Sequence, residues 1–221
     1  MLTEQQKKDR LTGIGASYSC AILDFFHPAV TMPDGRRDPY KSAQQVYDEI
    51  VSGHECEVTP VMREGIYLEP AILNWAGDML GEPGIEHNVM LRHPGGILLA
   101  NYDGIHRDKK FIVEAKWQRY RPEDREDARA LWGRGAQTDL SRASDDVPDR
   151  VTVQVMHALA VAGPEYKVGW VARLRGDRGF GIYRIPRDEQ LCAIIVKCCE
   201  RFWREFIVPK REPSRRTQEA A

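Results

Sequence analysis

The sequence predicts an α/β (α+β) fold, a central mixed β-sheet flanked by helices. Strand-like runs rich in β-branched and aromatic residues gather at about 85–93, 97–102, 110–117, 168–175 and 180–185. Runs with helical spacing stand before, between and after them. Neither kind of element buries its apolar face alone, so layers of helix on sheet follow. The 221 residues, 42% of them hydrophobic, suit one domain with a sizeable core, and 1–221 is expected to be a single unit.

Residues 17–26 read as a short helix, with Ser17 as N-cap and Ala21, Ile22 and Phe25 at helical spacing. A Pro- and Gly-punctuated loop covers 27–40. Ser42-Ala43-Gln44-Gln45 has the pattern of a capping box, and Val46, Ile50 and Val51 continue a helix that stops at Gly53. A longer helix is expected over about 64–80, with Ile66, Leu73, Ala76 and Leu80 on its apolar stripe and Gly81 at its end. Pro70 then falls in the first turns, where a missing N–H costs least, and Glu69 lies close to the helix start.

The next three strands form an antiparallel meander, the last two separated by Asp103-Gly104 and the polar stretch to Lys109. Residues 118–150, rich in Arg, Asp and Glu, are expected to be a mobile segment holding a short helix over 122–132. The run 151–162 is apolar nearly all round, as a buried helix is, although its β-branched start leaves a strand open. The strands at 168–175 and 180–185 read as a hairpin. A final helix over about 188–207 places Leu191, Ile194, Ile195, Cys198, Phe202 and Phe206 on one face, and a flexible tail follows from about 209.

Net charge is −1 and the pI near 6.6, so bulk electrostatics gives no support for a polyanionic partner. The basic clusters Arg36-Arg37, Arg173 with Arg175 and Arg178, and Lys210-Arg211 with Arg215-Arg216 read as solvated surface. Arg134, Arg142 and Arg150 could contact a nucleic-acid backbone, with solvated loop charge the favoured reading of each. Five cysteines without a CxxC pair are expected to be reduced thiols. The first ten residues hold no apolar signal core, and no apolar run approaches membrane-spanning length, which predicts a soluble cytoplasmic protein with no membrane partner. Six scattered histidines show no metal-ligand spacing.

The chemistry lies in Phe111-Ile112-Val113-Glu114-Ala115-Lys116-Trp117. Strand alternation puts Ile112, Glu114 and Lys116 on one face and Phe111, Val113, Ala115 and Trp117 on the other. Charges interrupting an apolar run are costly to bury unless they are paired or bind a metal. Asp103, at the end of the preceding strand, can reach an ion together with Glu114, and the Ala115 carbonyl can add a backbone oxygen; hard oxygens suit Mg²⁺ or Mn²⁺. Such ions stabilise phosphoryl oxygens and make water nucleophilic near neutral pH, and Lys116 would stand beside that water or the scissile phosphate. Taken singly, Asp-Gly is also a common turn signal and Glu-x-Lys a common pattern on a wet strand face.

Asp103 followed by Glu114-Ala115-Lys116 resembles the PD-(D/E)xK nuclease signature, and the surroundings resemble its lambda-exonuclease or YqaJ-type viral recombinase branch. Four further segments carry the likeness: Arg10-Leu11-Thr12-Gly13-Ile14-Gly15-Ala16-Ser17, Arg63-Glu64-Gly65-Ile66-Tyr67-Leu68-Glu69-Pro70, the run from Gln154 to Val161, and Phe202-Trp203. The resemblance implies a restriction-endonuclease-like core, with Asp103 and Glu114 as principal metal ligands, Glu69 as an additional one and Lys116 as the catalytic lysine. It also implies Gln154 in the active centre, orienting water or lysine, and two Mg²⁺ ions replaceable by Mn²⁺.

Arg10 and Ser17 would form a pocket for a DNA 5′-phosphate, in keeping with bidentate guanidinium contacts and the anion affinity of helix N-termini. The implied activity is 5′→3′ resection of linear double-stranded DNA ends, releasing mononucleotides, in a phage or prophage setting. A single-strand annealing protein and a homotrimer are the implied partners. Many relatives have Cys-Pro after the lysine, whereas Trp117-Gln118 follows here. An endonuclease or single-strand-specific nuclease on the same core, and a non-catalytic DNA-binding recombination accessory module, stay open as alternatives.

Overall fold

The computed structural model describes residues 4–27, 41–53, 57–119, 132, 135–176 and 179–213. Among them, β1 (Ile14–Gly15), β2 (Glu86–Arg92), β3 (Leu98–His106), β4 (Phe111–Gln118), β5 (Val168–Arg175) and β6 (Gly179–Pro186) form one sheet. It is mixed, as expected: β2–β3, β3–β4 and β5–β6 are antiparallel, whereas β1–β3 and β4–β5 are parallel. The parallel β4–β5 pair requires a crossover, and a helix, α5 (Asp149–Ala162), lies on that connection.

Helices cover both faces. On one, α5 packs with α2 (Ser19–Phe26), α3 (Ala43–Ser52) and α6 (Glu189–Phe202) around Ile22, Val46, Leu159, Ile195 and Phe202. On the other, α4 (Pro60–Leu80) lays Ile72, Leu73 and Ala76 over Phe111, Val113, Ala172 and Ile182. The two faces of β4 therefore divide as alternation requires, Ile112 facing α5 and Phe111 and Val113 facing α4. Because α5 is enclosed by sheet and helices, it is apolar nearly all round, which settles its run as helix rather than strand.

Several local expectations change. Helix α4 begins at Pro60 with Thr59 as N-cap, its hydroxyl accepting from the Met62 N–H, so Pro70 and Glu69 sit in mid-helix. Pro70 thus leaves the Ile66 carbonyl without its usual intrahelical donor. Asp103-Gly104 is not a turn but part of β3, which runs on to His106, and the chain reverses over 107–110 instead. Gly104 answers to packing: a Cβ there would stand 2.8 Å from Ile85 and 3.3 Å from Leu73 of α4.

Ser17 is not an N-cap; it lies in a 3₁₀ turn, Ala16–Tyr18, between β1 and α2, with its side chain exposed. The short β1 and α1 (Glu4–Arg10) were not foreseen. The capping box of Ser42 and Gln45 and the left-handed Gly53 end α3 as expected. The helix expected over 122–132 and the tail beyond 213 lie outside the described residues.

Candidate active site

The site opens where two strands part. β3 and β4 pair at Gly104↔Val113, Ile105↔Ile112 and His106↔Phe111, and the pairing goes no further. Beyond it the Ala115 N–H donates to Asp103 Oδ2 at 2.8 Å, a side chain replacing the backbone acceptor. Across β3, Asn88 takes φ 55° between the paired His87 and Val89, so β2 bends beside the position of Asp103.

Glu114 and Lys116 point toward α5, where Gln154 meets both. Glu114 Oε1 accepts from Lys116 Nζ at 2.6 Å and from Gln154 Nε2 at 2.6 Å. Gln154 Oε1 accepts in turn from Lys116 Nζ at 3.0 Å, closing a triangle of acid, base and amide. The amide orientation follows from its partners, since a carboxylate only accepts and an ammonium only donates. Glu114 is 7% exposed, so the pairing replaces hydration for a buried charge.

Glu69 enters from α4. A cleft of about 300 Å³ is lined by Glu69, Asp103, Glu114, Ala115 and Lys116, with Met62 and Ile66 among its apolar wall. Burial, reinforced by Glu114, pushes the Asp103 carboxyl well above the usual carboxylate range, against the pull of Lys116 and the Ala115 N–H. Burial raises Glu69 as well, with Glu114 adding to it. Burial alone would lower the Lys116 ammonium, but Glu114 and Asp103 outweigh it and the group is raised, hence cationic at neutral pH.

Three carboxylates gathered around one ammonium leave the cleft short of positive charge. Among the described residues no three His, Cys, Asp or Glu side chains converge closely enough to hold an ion as they stand. The donor set nevertheless fits a hard divalent cation: the oxygens belong to carboxylates, and Glu69, half-buried, accepts no hydrogen bond among the described residues. Ala115 lines the same cleft, where the sequence reading sought a backbone oxygen.

A second cavity, of about 390 Å³, shares Lys116 and Trp117 with the cleft. Ser17, Lys41, Trp132, Arg150 and Gln154 also line it. Trp117 is anchored to α4 by its indole N–H, which donates to Glu64 at 3.1 Å. Ser17 therefore reaches the neighbourhood of Lys116, whereas Arg10 ends α1 and its side chain lies outside the described residues.

Three cationic side chains stand differently from the favoured sequence reading. Arg150, read as loop charge, occupies the first turn of α5, four residues before Gln154 and on the same helix face, a spacing that would have found it. Arg173 and Arg175, read as surface, are 6% and 7% exposed. Alternation from buried Val171 would have turned both inward. Arg173 donates to the Tyr183 hydroxyl at 3.2 Å and to Gln118 Oε1. Lys41 is paired with Glu49 at 2.5 Å.

Comparison with known proteins comes from sequence and fold together. A family model described as "YqaJ-like viral recombinase domain" matches residues 7–165. The uncharacterized protein YqaJ of Bacillus subtilis (strain 168) is 31% identical over 127 residues, 57% of this chain; the match spans only 34% of that relative's length. An alkaline exonuclease from Laribacter hongkongensis has a similar structure, with a TM-score of 0.67 at 19% identity, covering 99% of this chain and 100% of that one. A phage related exonuclease from Haemophilus somnus 129PT gives a TM-score of 0.56 at 11% identity, covering 90% and 96%. These likenesses establish the restriction-endonuclease-like PD-(D/E)xK fold.

Proposed function

We propose, because this chain belongs to the YqaJ-like viral recombinase domain family, that it is a metal-dependent exonuclease on linear double-stranded DNA, resecting 5′→3′ and releasing mononucleotides. The observation that carries the reading is that Glu114 and Lys116, bonded to each other and to Gln154, share one cleft with Asp103 and Glu69. Both solved relatives named above are described as exonucleases, which supports the choice among nuclease activities.

Asp103, Glu114 and Glu69, with the Ala115 carbonyl, would hold Mg²⁺ or Mn²⁺. Bound there, such an ion supplies charge stabilisation to phosphoryl oxygens and acidifies water. Lys116 keeps its proton, and its ammonium is placed to offset negative charge developing on the phosphoryl group. Gln154 fixes the ammonium and the Glu114 carboxylate in one geometry, so neither has to reorganise as charge moves. Ser17 and Arg10 would take the 5′-phosphate of the strand end, next to Lys116. The exposed single strand would be taken up by an annealing protein, and a homotrimer would enclose the duplex.

The substrate ends test this. Linear duplex bearing 5′-phosphates, the same duplex with 5′-hydroxyls and closed circular DNA are digested in parallel with Mg²⁺. The first should disappear fastest and the circle should persist. Cleavage of the circle at a rate equal to the linear forms would instead make the protein an endonuclease on the same core.

A further inference from the structure

Helix α1, Glu4-Gln5-Gln6-Lys7-Lys8-Asp9-Arg10, is seven residues long and holds no apolar side chain. A helix this short is marginal in water, and without apolar surface it cannot dock by burial, so polar contacts have to set its position. Two clasps do so, one on each side of Arg10. Ahead of it, the partly buried Gln6 donates through Nε2 to Asn101 Oδ1 at 3.1 Å and to Asn88, at its carbonyl (3.2 Å) and its Oδ1 (3.4 Å). Asn101 lies two residues before Asp103 in β3, and Asn88 lies in β2 between the partners of Tyr102 and Gly104, so this clasp sits beside Asp103.

Beyond Arg10, Arg92 of β2 spreads its guanidinium over the end of α1. Nη2 donates to Thr12 Oγ1 at 2.6 Å, and Nη1 to the carbonyls of Thr12 at 3.1 Å and Gly96 at 2.5 Å. Thr12 in turn closes α1, its N–H and its hydroxyl donating to the Asp9 carbonyl at 2.9 and 2.7 Å. The chain then meets the sheet so closely that a Cβ at Gly13 would stand 2.4 Å from the Ile97 carbonyl oxygen, to which the Ile14 N–H donates at 2.8 Å. β1 and the 3₁₀ turn lead from there to Ser17. Arg92 and Thr12 are exposed, so each bond is weak singly; the planar fork holds a hydroxyl and two carbonyls at once.

We propose that Gln6 and Arg92 are positioning residues for the strand end: they hold the arm 4–15 against β2 and β3, and so set where Arg10 and Ser17 stand relative to Asp103 and Lys116. The acidic groups and the lysine of the cleft come from α4, β3 and β4 and not from this arm. Loosening the arm therefore weakens the grip on the end and leaves the chemistry in place. The inference rests on the nuclease reading for what the arm presents; the clasps themselves need neither metal nor DNA.

Initial rates on linear duplex carrying 5′-phosphates or 5′-hydroxyls, with Mg²⁺ and the full chain, give kcat and KM for each kind of end. Arg92→Ala and Gln6→Ala should each cut the 5′-phosphate preference in kcat/KM by about tenfold, through a raised KM for the phosphorylated end with kcat held within about twofold. Arg92→Lys, one ammonium in place of the fork, should fall between wild type and Arg92→Ala. Gln5→Ala, whose amide bonds Asp9 inside α1, should keep the wild-type preference. In hydrogen exchange without metal or DNA, the Ile14 amide should exchange about tenfold or more faster in Arg92→Ala while the Val113 amide in mid-sheet is unchanged. An unchanged preference in either alanine variant, an equal loss at both kinds of end, a matching loss in Gln5→Ala, or Ile14 exchange as in wild type overturns the proposal. Wild-type protein that leaves linear duplex intact sinks the nuclease reading, whereas a wild-type preference that the variants keep sinks the positioning role alone.

Discussion

Glu114 and Lys116 were legible as chemistry because two charges interrupt an apolar strand, and a buried charge needs a reason. Gln154 was not legible that way: an amide in an apolar helix 40 residues from Glu114 carries no signal of what it will face, and only the family likeness pointed to it. Its part in the triangle makes it a positioning residue. Gln154→Ala should lower the digestion rate by roughly 10- to 100-fold with an unchanged circular dichroism spectrum. Asp103 allows a sharper test, because burial, reinforced by Glu114, pushes its carboxyl well above the usual carboxylate range, so its charged form is a cost to the fold. Asp103→Asn keeps an oxygen for the Ala115 N–H and removes the charge. In chelator its Tm should rise by about 2–4 °C, the shift that about 1 kcal/mol gives a chain of this size, while digestion falls by about 100-fold or more. A lowered Tm would contradict the mutual repulsion of Asp103, Glu114 and Glu69.

Helices bring these residues to the sheet, and their limits were read unevenly. The capping box of α3 was legible because Ser42 and Gln45 satisfy each other locally. The start of α4 lies earlier than expected because Thr59-Pro60 supplies an N-cap followed by a first-turn proline, while Pro70 is accommodated inside the helix. The close approach of α4 to β3 depends on Gly104. Gly104→Ala should cost roughly 1–3 kcal/mol in denaturant unfolding, since the added Cβ would stand 2.8 Å from Ile85, 3.2 Å from Val113 and 3.3 Å from Leu73. Helix α5 is tied from within by His157, fully buried, with Nδ1 2.6 Å from Ser19 Oγ and Nε2 2.9 Å from the Leu99 carbonyl. Burial first of all lowers its pKa to about 4, from 6.5 when unfolded. The folded state thus binds fewer protons between these values, so the contribution is whole above about 6.5 and is lost as pH falls toward about 4. The difference in unfolding free energy between wild type and His157→Asn should shrink on that descent by on the order of 3 kcal/mol. A pH-independent difference would contradict a neutral buried imidazole.

For the molecule as a whole, periodicity gave the layers but not the order of the sheet. β1 is two residues long and pairs with Leu98 and Leu99, far along the chain, so no local pattern could announce it. The parting of β3 from β4 was equally invisible, because Asp103-Gly104 resembles a turn until Gly104 is seen packed under α4. That parting lets Asp103 of β3 and Glu114 and Lys116 of β4 share one cleft with Glu69 of α4, while Gln154 of α5 bonds Lys116 and Glu114. Among the described residues no helix is long and apolar enough to cross a membrane. The direct measurement is mononucleotide release from linear duplex with Mg²⁺ or Mn²⁺, wild type against Lys116→Ala. Release that depends on the added metal and falls by about 100-fold or more in the variant is the predicted result. Intact duplex with the wild type under both metals, or equal release by the two proteins, would contradict it.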